Sequence, residues 1–128
     1  ASCREEKAAI RKRVKGVLKA MGKDEVVSSS AALTQRLVGI SQFRDSSVVS
    51  IYLSMPKEVQ TQDILRELFL QGKKVYIPKI VGPNPWDMRM FPLTSEEEVS
   101  SFPLTKWNIP EPSVELVMSR EDGTSTGT

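Results

Sequence analysis

The stretch from Val48 to Pro78 constrains the fold more than any other part of the chain. Val48 to Ser54, VVSIYLS, is a β-branched and aromatic run suited to a buried strand, and Met55-Pro56 follows where proline stops a ladder. Thr61 can cap a helix in which Ile64, Leu65, Leu68 and Phe69 keep helical spacing until Gly72. Lys74 to Pro78, KVYIP, then reads as a second strand. Two strands joined through a helix by short connections run parallel, with a right-handed crossover. The expected class is therefore α/β.

Helical spacing also precedes this unit. From Arg4 to Met21, Ile10, Val14, Val17, Leu18 and Met21 form one apolar stripe, and Gly22 is the expected stop. A second helix is predicted from Asp24 to Ile40, with Asp24 as cap and Val26, Val27, Ala31, Leu33, Leu37 and Val38 as its buried candidates. Beyond the unit, Gly82-Pro83-Asn84-Pro85 reads as a turn and Asp87 to Phe91 as a short strand. Ser95 and Glu98 make a capping-box pattern for a brief helix. Trp107-Asn108-Ile109-Pro110-Glu111-Pro112 reads as a rigid extended segment, in which a lone tryptophan is more often a core plug than a stacking platform. With 128 residues the chain fits one domain, expected over 1–118, with a polar, unstructured tail over 119–128.

Charge is unevenly distributed. The first 23 residues hold eight lysines and arginines against Glu5 and Glu6, a local +6 in a chain of net +2. Such a helix points to a phosphate-bearing partner or to a solvated face. Aromatic residues at 6% are too sparse for a nucleic-acid surface built by stacking, and no apolar run approaches the roughly 20 residues of a membrane span. Histidine is absent, which removes Ser-His-Asp and Cys-His nucleophile pairs and imidazole-based zinc sites. Cys3, the single cysteine, has no partner for an internal disulfide, consistent with a reducing compartment. Gly16 and Gly22-Lys23 do not make a P-loop, because the glycine spacing is wrong and Asp24 stands where Ser or Thr is needed.

In parallel α/β sheets ligands lie beyond the carboxyl ends of the strands, which directs attention to Leu53-Ser54-Met55-Pro56-Lys57-Glu58. Met55 offers an adaptable lining for an apolar ring, and Glu58 a carboxylate that accepts paired N–H donors from a heterocycle. A plain surface loop is the competing reading. Lys7 and Arg11, four residues apart, project from one side of the first helix and can grip the oxygens of a polyphosphate.

These pieces together resemble the 5-formyltetrahydrofolate cyclo-ligase family. The likeness rests on Lys7-Ala-Ala-Ile-Arg11, Ser50-Ile-Tyr-Leu-Ser-Met55 with Glu58 and Thr61, Gly72-Lys73 before Tyr76-Ile77-Pro78, and Lys106-Trp107-Asn108-Ile109-Pro110 followed by Pro112. It implies a three-layer α/β/α, Rossmann-like sheet and an ATP- and magnesium-dependent ligase. The implied reaction converts 5-formyltetrahydrofolate to 5,10-methenyltetrahydrofolate with release of ADP and phosphate. It further implies Lys7 and Arg11 as ATP-phosphate ligands, Leu53 and Glu58 as folate-pocket residues, and Trp107 as part of the substrate wall. A small-molecule substrate, no nucleic acid, no membrane, a monomeric whole protein and a cytoplasmic location, with an organelle left open, complete the expectation.

Family members continue into a further strand and a glycine-rich Gly-x-Gly-x-Gly-Tyr-Tyr-Asp segment that holds phosphate. No such residues occur before Thr128, and the magnesium ligands are not assignable. The chain accordingly reads as an amino-terminal piece or truncated product whose 128 residues alone are expected to be inactive. A non-catalytic member that binds folate or a partner protein through an unfinished sheet edge is the alternative.

Overall fold

The computed structural model describes residues 2–56, 58–84 and 86–123. Helix α1 covers Cys3–Ala20, entered through a capping box in which Ser2 Oγ accepts from the Glu5 N–H and the Glu5 carboxylate accepts from the Ser2 N–H. It carries no buried residue. Its apolar stripe is laid out as the spacing predicts, yet Ile10, Val14 and Val17 stay exposed and only Leu18 and Met21 are half-buried. Gly22 does not end this helix in a left-handed turn. Its φ is −72°, and it serves as the N-cap of α2, Lys23–Val38, which places Asp24 inside the first turn rather than at the cap.

The buried face of α2 departs from expectation in part, with Val26 buried as expected. Val26, Ser30 and Thr34 point inward, whereas Val27, Ala31 and Leu33 are exposed. Ser30 and Thr34 are tolerated there because their hydroxyls are used: Thr34 Oγ1 donates to the Ser30 carbonyl at 2.9 Å and Ser30 Oγ accepts from the Gln60 N–H at 2.8 Å. Leu37 and Val38 pack, half-buried, against the core as predicted. A short helix α3, Ser41–Asp45, buries Phe43.

The strand, helix and strand read from the sequence are present as β1 (Val48–Ser50), α4 (Gln62–Leu70) and β2 (Lys74–Ile80). β1 and β2 are parallel, Val48 opposite Lys74 and Ser50 opposite Tyr76. β3, Met88–Leu93, pairs antiparallel with the other side of β2, making a mixed three-stranded sheet of order β1-β2-β3. β1 is shorter than the predicted Val48 to Ser54. The Ile51 N–H still reaches the Tyr76 carbonyl at 2.9 Å, but the donor that register would next bring to the Ile51 carbonyl belongs to Pro78, which has no N–H. Proline in the partner strand, rather than Pro56, therefore ends the ladder.

Thr61 occupies the N-cap of α4 without making a side-chain cap; its Oγ1 donates to the Tyr52 carbonyl at 2.9 Å. Ile64, Leu65 and Leu68 bury the inner face of α4 over Val75, Ile77 and Phe91 of the sheet. Gly72 turns the chain at φ +71°, a conformation favoured by glycine. The next residue, Lys73, is buried and ties β2 to the end of α3: its ammonium donates to the carbonyls of Arg44, at 2.9 Å, and Ser46, and lies 5.5 Å from the Phe43 ring.

Within the sheet Val75 is fully buried, whereas Val48 is exposed and Ile51 half-buried. The brief helix after β3 is a 3-10 turn over Glu97–Ser101, with the Glu98 N–H on Ser95 Oγ at 3.2 Å and the Glu98 carboxylate on the Thr94 N–H at 3.0 Å. Helix α5, Val114–Met118, buries Val117.

The expected loose tail is tied down at its start. Arg120 donates to the Pro92 carbonyl at 3.0 Å, pairs with Glu98 and lies 4.6 Å over the Phe91 ring. Glu121 meets Lys74 at 3.2 Å and the Tyr76 hydroxyl, and Asp122 accepts from the Met90 N–H at 3.0 Å. Residues 124–128 lie outside the described residues, as does Pro85 of the predicted turn. No helix among the described residues is long and apolar enough to cross a membrane.

Candidate functional site

Three segments converge beyond the carboxyl end of β1. The connection from Leu53 to Thr61, the start of α2 and the loop from Leu104 to Pro110 enclose an open cleft of about 540 Å³. Val26, Val27, Pro56 and Pro110 supply apolar walls, and Lys23, Ser54, Gln60, Gln62 and Asn108 supply polar groups. The strand-end rule thus locates the cleft correctly, although its apolar character comes as much from α2 as from the connection itself.

The connection owes its shape to its own side chains. Glu58 closes a turn on Met55 from both directions: its N–H donates to the Met55 carbonyl at 3.1 Å, and its carboxylate accepts from the Met55 N–H at 2.7 Å. Gln60 braces the same turn, its side-chain amide donating to the carbonyls of Met55, Pro56 and Glu58 at 2.9, 3.3 and 2.8 Å. The Tyr52 phenol, whose pKa burial and then the Glu58 charge push up, stays a neutral donor near neutral pH.

Of the residues singled out from sequence, Glu58 is half-buried and borders a small pocket with Leu18, Met21, Val26, Ser30 and Val59. Leu53 lines a second small pocket beside Ser54, Thr61, Leu65 and Pro110. Met55 is exposed on the turn. Neither Leu53, Met55 nor Glu58 lines the main cleft, but their neighbours Ser54, Pro56 and Gln60 do.

Trp107 is not a core plug. It is 58% exposed, with the Lys106 ammonium 4.6 Å from its ring. The loop folds on itself through Thr105 N–H to Ile109 O at 3.0 Å, Asn108 N–H to Thr105 O at 2.9 Å and a bridge between Leu104 and Pro110. Asn108 takes φ +60°, a conformation asparagine tolerates, and Trp107 stands at the tip of this turn rather than in an extended segment. Asn108 and Pro110 beside it face the cleft.

Lys7 and Arg11 are exposed and form no ion pair among the described residues. Their spacing with Val14 and Leu18, at i, i+4, i+7 and i+11, lays all four along one side of α1. Leu18 is the member of that row that touches the Glu58 pocket, so the basic pair lies on the same side of the helix, with Lys7 about 16 Å farther along the axis. The structure does not bring Lys7 and Arg11 into the cleft wall. Among the described residues no group of three or more acidic, cysteine or histidine side chains assembles a metal site.

Gln60 and the inward Ser30 escaped the sequence reading. Gln60 sits between a valine and the predicted cap with no motif to mark it, and Ser30 lies in a serine run whose periodicity carries no signal.

Residues 3–125 match the sequence model of the 5-formyltetrahydrofolate cyclo-ligase family. The chain is 38% identical over 121 residues to 5-formyltetrahydrofolate cyclo-ligase of Mus musculus, covering 94% of this chain and 58% of the mouse protein. It is 28% identical over 110 residues to a probable 5-formyltetrahydrofolate cyclo-ligase of Caenorhabditis elegans, covering 85% of this chain and 52% of that protein. Identity to a probable 5-formyltetrahydrofolate cyclo-ligase of Schizosaccharomyces pombe is 31% over 104 residues, 79% of this chain and 48% of that protein. The chain spans about half the length of the curated relatives it matches.

Proposed function

The chain belongs to the 5-formyltetrahydrofolate cyclo-ligase family, and on that premise we propose that the whole protein uses ATP to close 5-formyltetrahydrofolate to 5,10-methenyltetrahydrofolate. The observation that carries this reading is the position of the Glu58 turn, at the carboxyl end of β1 and beside an apolar cleft roofed by the Trp107 loop. The formyl oxygen attacks the γ-phosphorus and ADP leaves. The N10 amine then attacks the activated carbon, loses its proton, and phosphate departs to leave the methenyl bridge. Phosphoryl transfer of this kind needs positioning and charge stabilisation, and no histidine.

Within that scheme the carboxylate of Glu58 accepts N–H donors of the pterin, Leu53 and Met55 offer apolar surface to the ring, and the exposed Trp107 forms part of the substrate wall. Lys7 and Arg11 hold the triphosphate from α1. Magnesium accompanies the nucleotide and would neutralise part of its phosphate charge. In this reading the whole protein has the three-layer α/β/α arrangement, acts as a monomer on a small molecule and resides in the cytoplasm.

The product absorbs in the near ultraviolet, so turnover is followed directly. The full-length, folded protein is expected to show an absorbance rise that requires both ATP and magnesium; none at any substrate concentration would remove the assignment. A second prediction separates the two pockets. Glu58→Gln should raise KM for the folate by about ten- to a hundredfold and leave KM for ATP nearly unchanged, whereas Lys7→Ala and Arg11→Ala should do the reverse. Unaltered ATP kinetics in both basic variants would make that side of α1 a solvated face.

A non-catalytic role is the second reading, favoured by the exposed Ile10, Val14 and Val17 on α1, which offer a partner an apolar strip flanked by positive charge. Folate binding by the full-length protein without turnover would support it.

A further inference from the structure

We infer that Gln60 is a positioning residue, keeping the turn from Met55 to Glu58 in shape while the Glu58 carboxylate engages the substrate; this rests on the reading of Glu58 as a folate-pocket residue. In the structure Glu58 has a conflict of duties. One carboxylate oxygen already accepts the Met55 N–H at 2.7 Å and thereby helps to close the turn that carries it. A heterocycle presenting two N–H donors competes for that oxygen. When the carboxylate turns to the ligand, the Met55 N–H is released and the turn loses its charge-assisted bond.

What remains is the backbone bond from the Glu58 N–H to the Met55 carbonyl at 3.1 Å and the brace supplied by Gln60. Its side-chain amide has two N–H groups shared among three carbonyls, those of Met55, Pro56 and Glu58, so it spans the turn from one end to the other without using the Glu58 carboxylate. Its own backbone N–H donates to Ser30 Oγ at 2.8 Å, which fastens this brace to the buried face of α2. Gln60 also lines the cleft, where a bound ligand would shield the brace from water. The turn is thus held by the Glu58 carboxylate, which substrate can borrow, and by bonds that substrate leaves in place, of which those of Gln60 are the side-chain set. Without the Gln60 bonds, a single backbone hydrogen bond would hold the turn while the carboxylate is engaged, and binding would have to order the turn as well as fill the pocket.

The test is a double-mutant cycle in the full-length protein between Gln60→Leu, which keeps much of the side-chain volume and removes both donors, and Glu58→Gln. Gln60→Leu is expected to raise KM for 5-formyltetrahydrofolate about tenfold and change KM for ATP less than about twofold, with circular dichroism unaltered. In the Glu58→Gln background the same substitution should add less than about twofold, because the group it positions is already impaired. Equal effects in both backgrounds, or equal rises in both Michaelis constants, would overturn the inference in favour of a general structural role. Amide hydrogen exchange supplies a readout that needs no turnover: the Glu58 N–H should exchange at least about fivefold faster in Gln60→Leu, and unchanged protection would overturn the inference. Absence of wild-type turnover would count against the cyclo-ligase reading, and the exchange result would still decide whether Gln60 braces the turn.

Discussion

Replacing Arg120 by Met should destabilise the protein by about 2 kcal/mol, below the roughly 3–5 kcal/mol for stranding one member of a fully buried ion pair, because this pair is partly buried. Arg120 and Glu98 have side chains that are 24% and 13% exposed, and the guanidinium also covers the Phe91 ring and donates to the Pro92 carbonyl. Methionine keeps much of the cover over Phe91 but leaves the Glu98 carboxylate with Thr94, through its N–H and its side chain, in place of the guanidinium. Arg120→Met with Glu98→Leu should recover part of the loss, since no charge is then stranded.

The pH dependence of this effect has a definite sign. The Arg120 hydrogen bonds hold the Glu98 carboxyl below its ordinary pKa of 4.5, with the Thr94 N–H adding to the shift and burial opposing it. A carboxyl lowered on folding contributes stability that is fully present above its unfolded pKa and is lost as pH falls through its folded value. Urea midpoints of wild type and Arg120→Met should therefore differ most near pH 6–7, a window well above the usual carboxylate range, and converge toward pH 3. A difference that persists unchanged at pH 3 would assign the effect to packing on Phe91 instead of the ion pair.

A loss of about 2–5 kcal/mol is expected for Leu68→Ala, the range for removing a buried leucine side chain and leaving a cavity. Leu68 is fully buried between α4 and the sheet, in one cluster with Val75, Ile77 and Phe91. Because α4 also begins at Thr61, whose hydroxyl holds the Tyr52 carbonyl, loosening this helix should weaken the connection that bears Glu58. Denaturant unfolding gives the stability change. A loss below about 1 kcal/mol would mean that the cavity collapses, a result that crystallography of the variant would reveal.

The site was legible in part. The parallel strand order directs attention beyond β1, where the cleft lies, and Glu58 and Leu53 border smaller pockets of their own there. The inner face of α2 was legible only in part: Val26 was expected there, but Ser30 and Thr34 defy the rule that leucine and valine go inside. It becomes intelligible only with Gln60 opposite Ser30, 30 residues away in sequence. Trp107 shows the same limit: an isolated tryptophan has no periodic partner to reveal its direction, and the left-handed Asn108 that turns the loop leaves no pattern in composition.

Sequence alone determined the α/β class, the parallel pairing of β1 with β2, the extent of α4 and its buried face, and the family, since these depend on local periodicity and on motifs kept in order. Tertiary structure alone decided where β1 ends, because Pro78 acts on the carbonyl of a residue 27 positions earlier through the register of the sheet. It likewise decided that Arg120, polar and near a serine- and glycine-rich end, closes over Phe91 instead of remaining in a loose tail. Local propensities describe what one segment prefers in isolation. Hydrogen-bond partners, charge pairs and covered rings are settled by which distant segment arrives beside it, and that is a property of the packed chain.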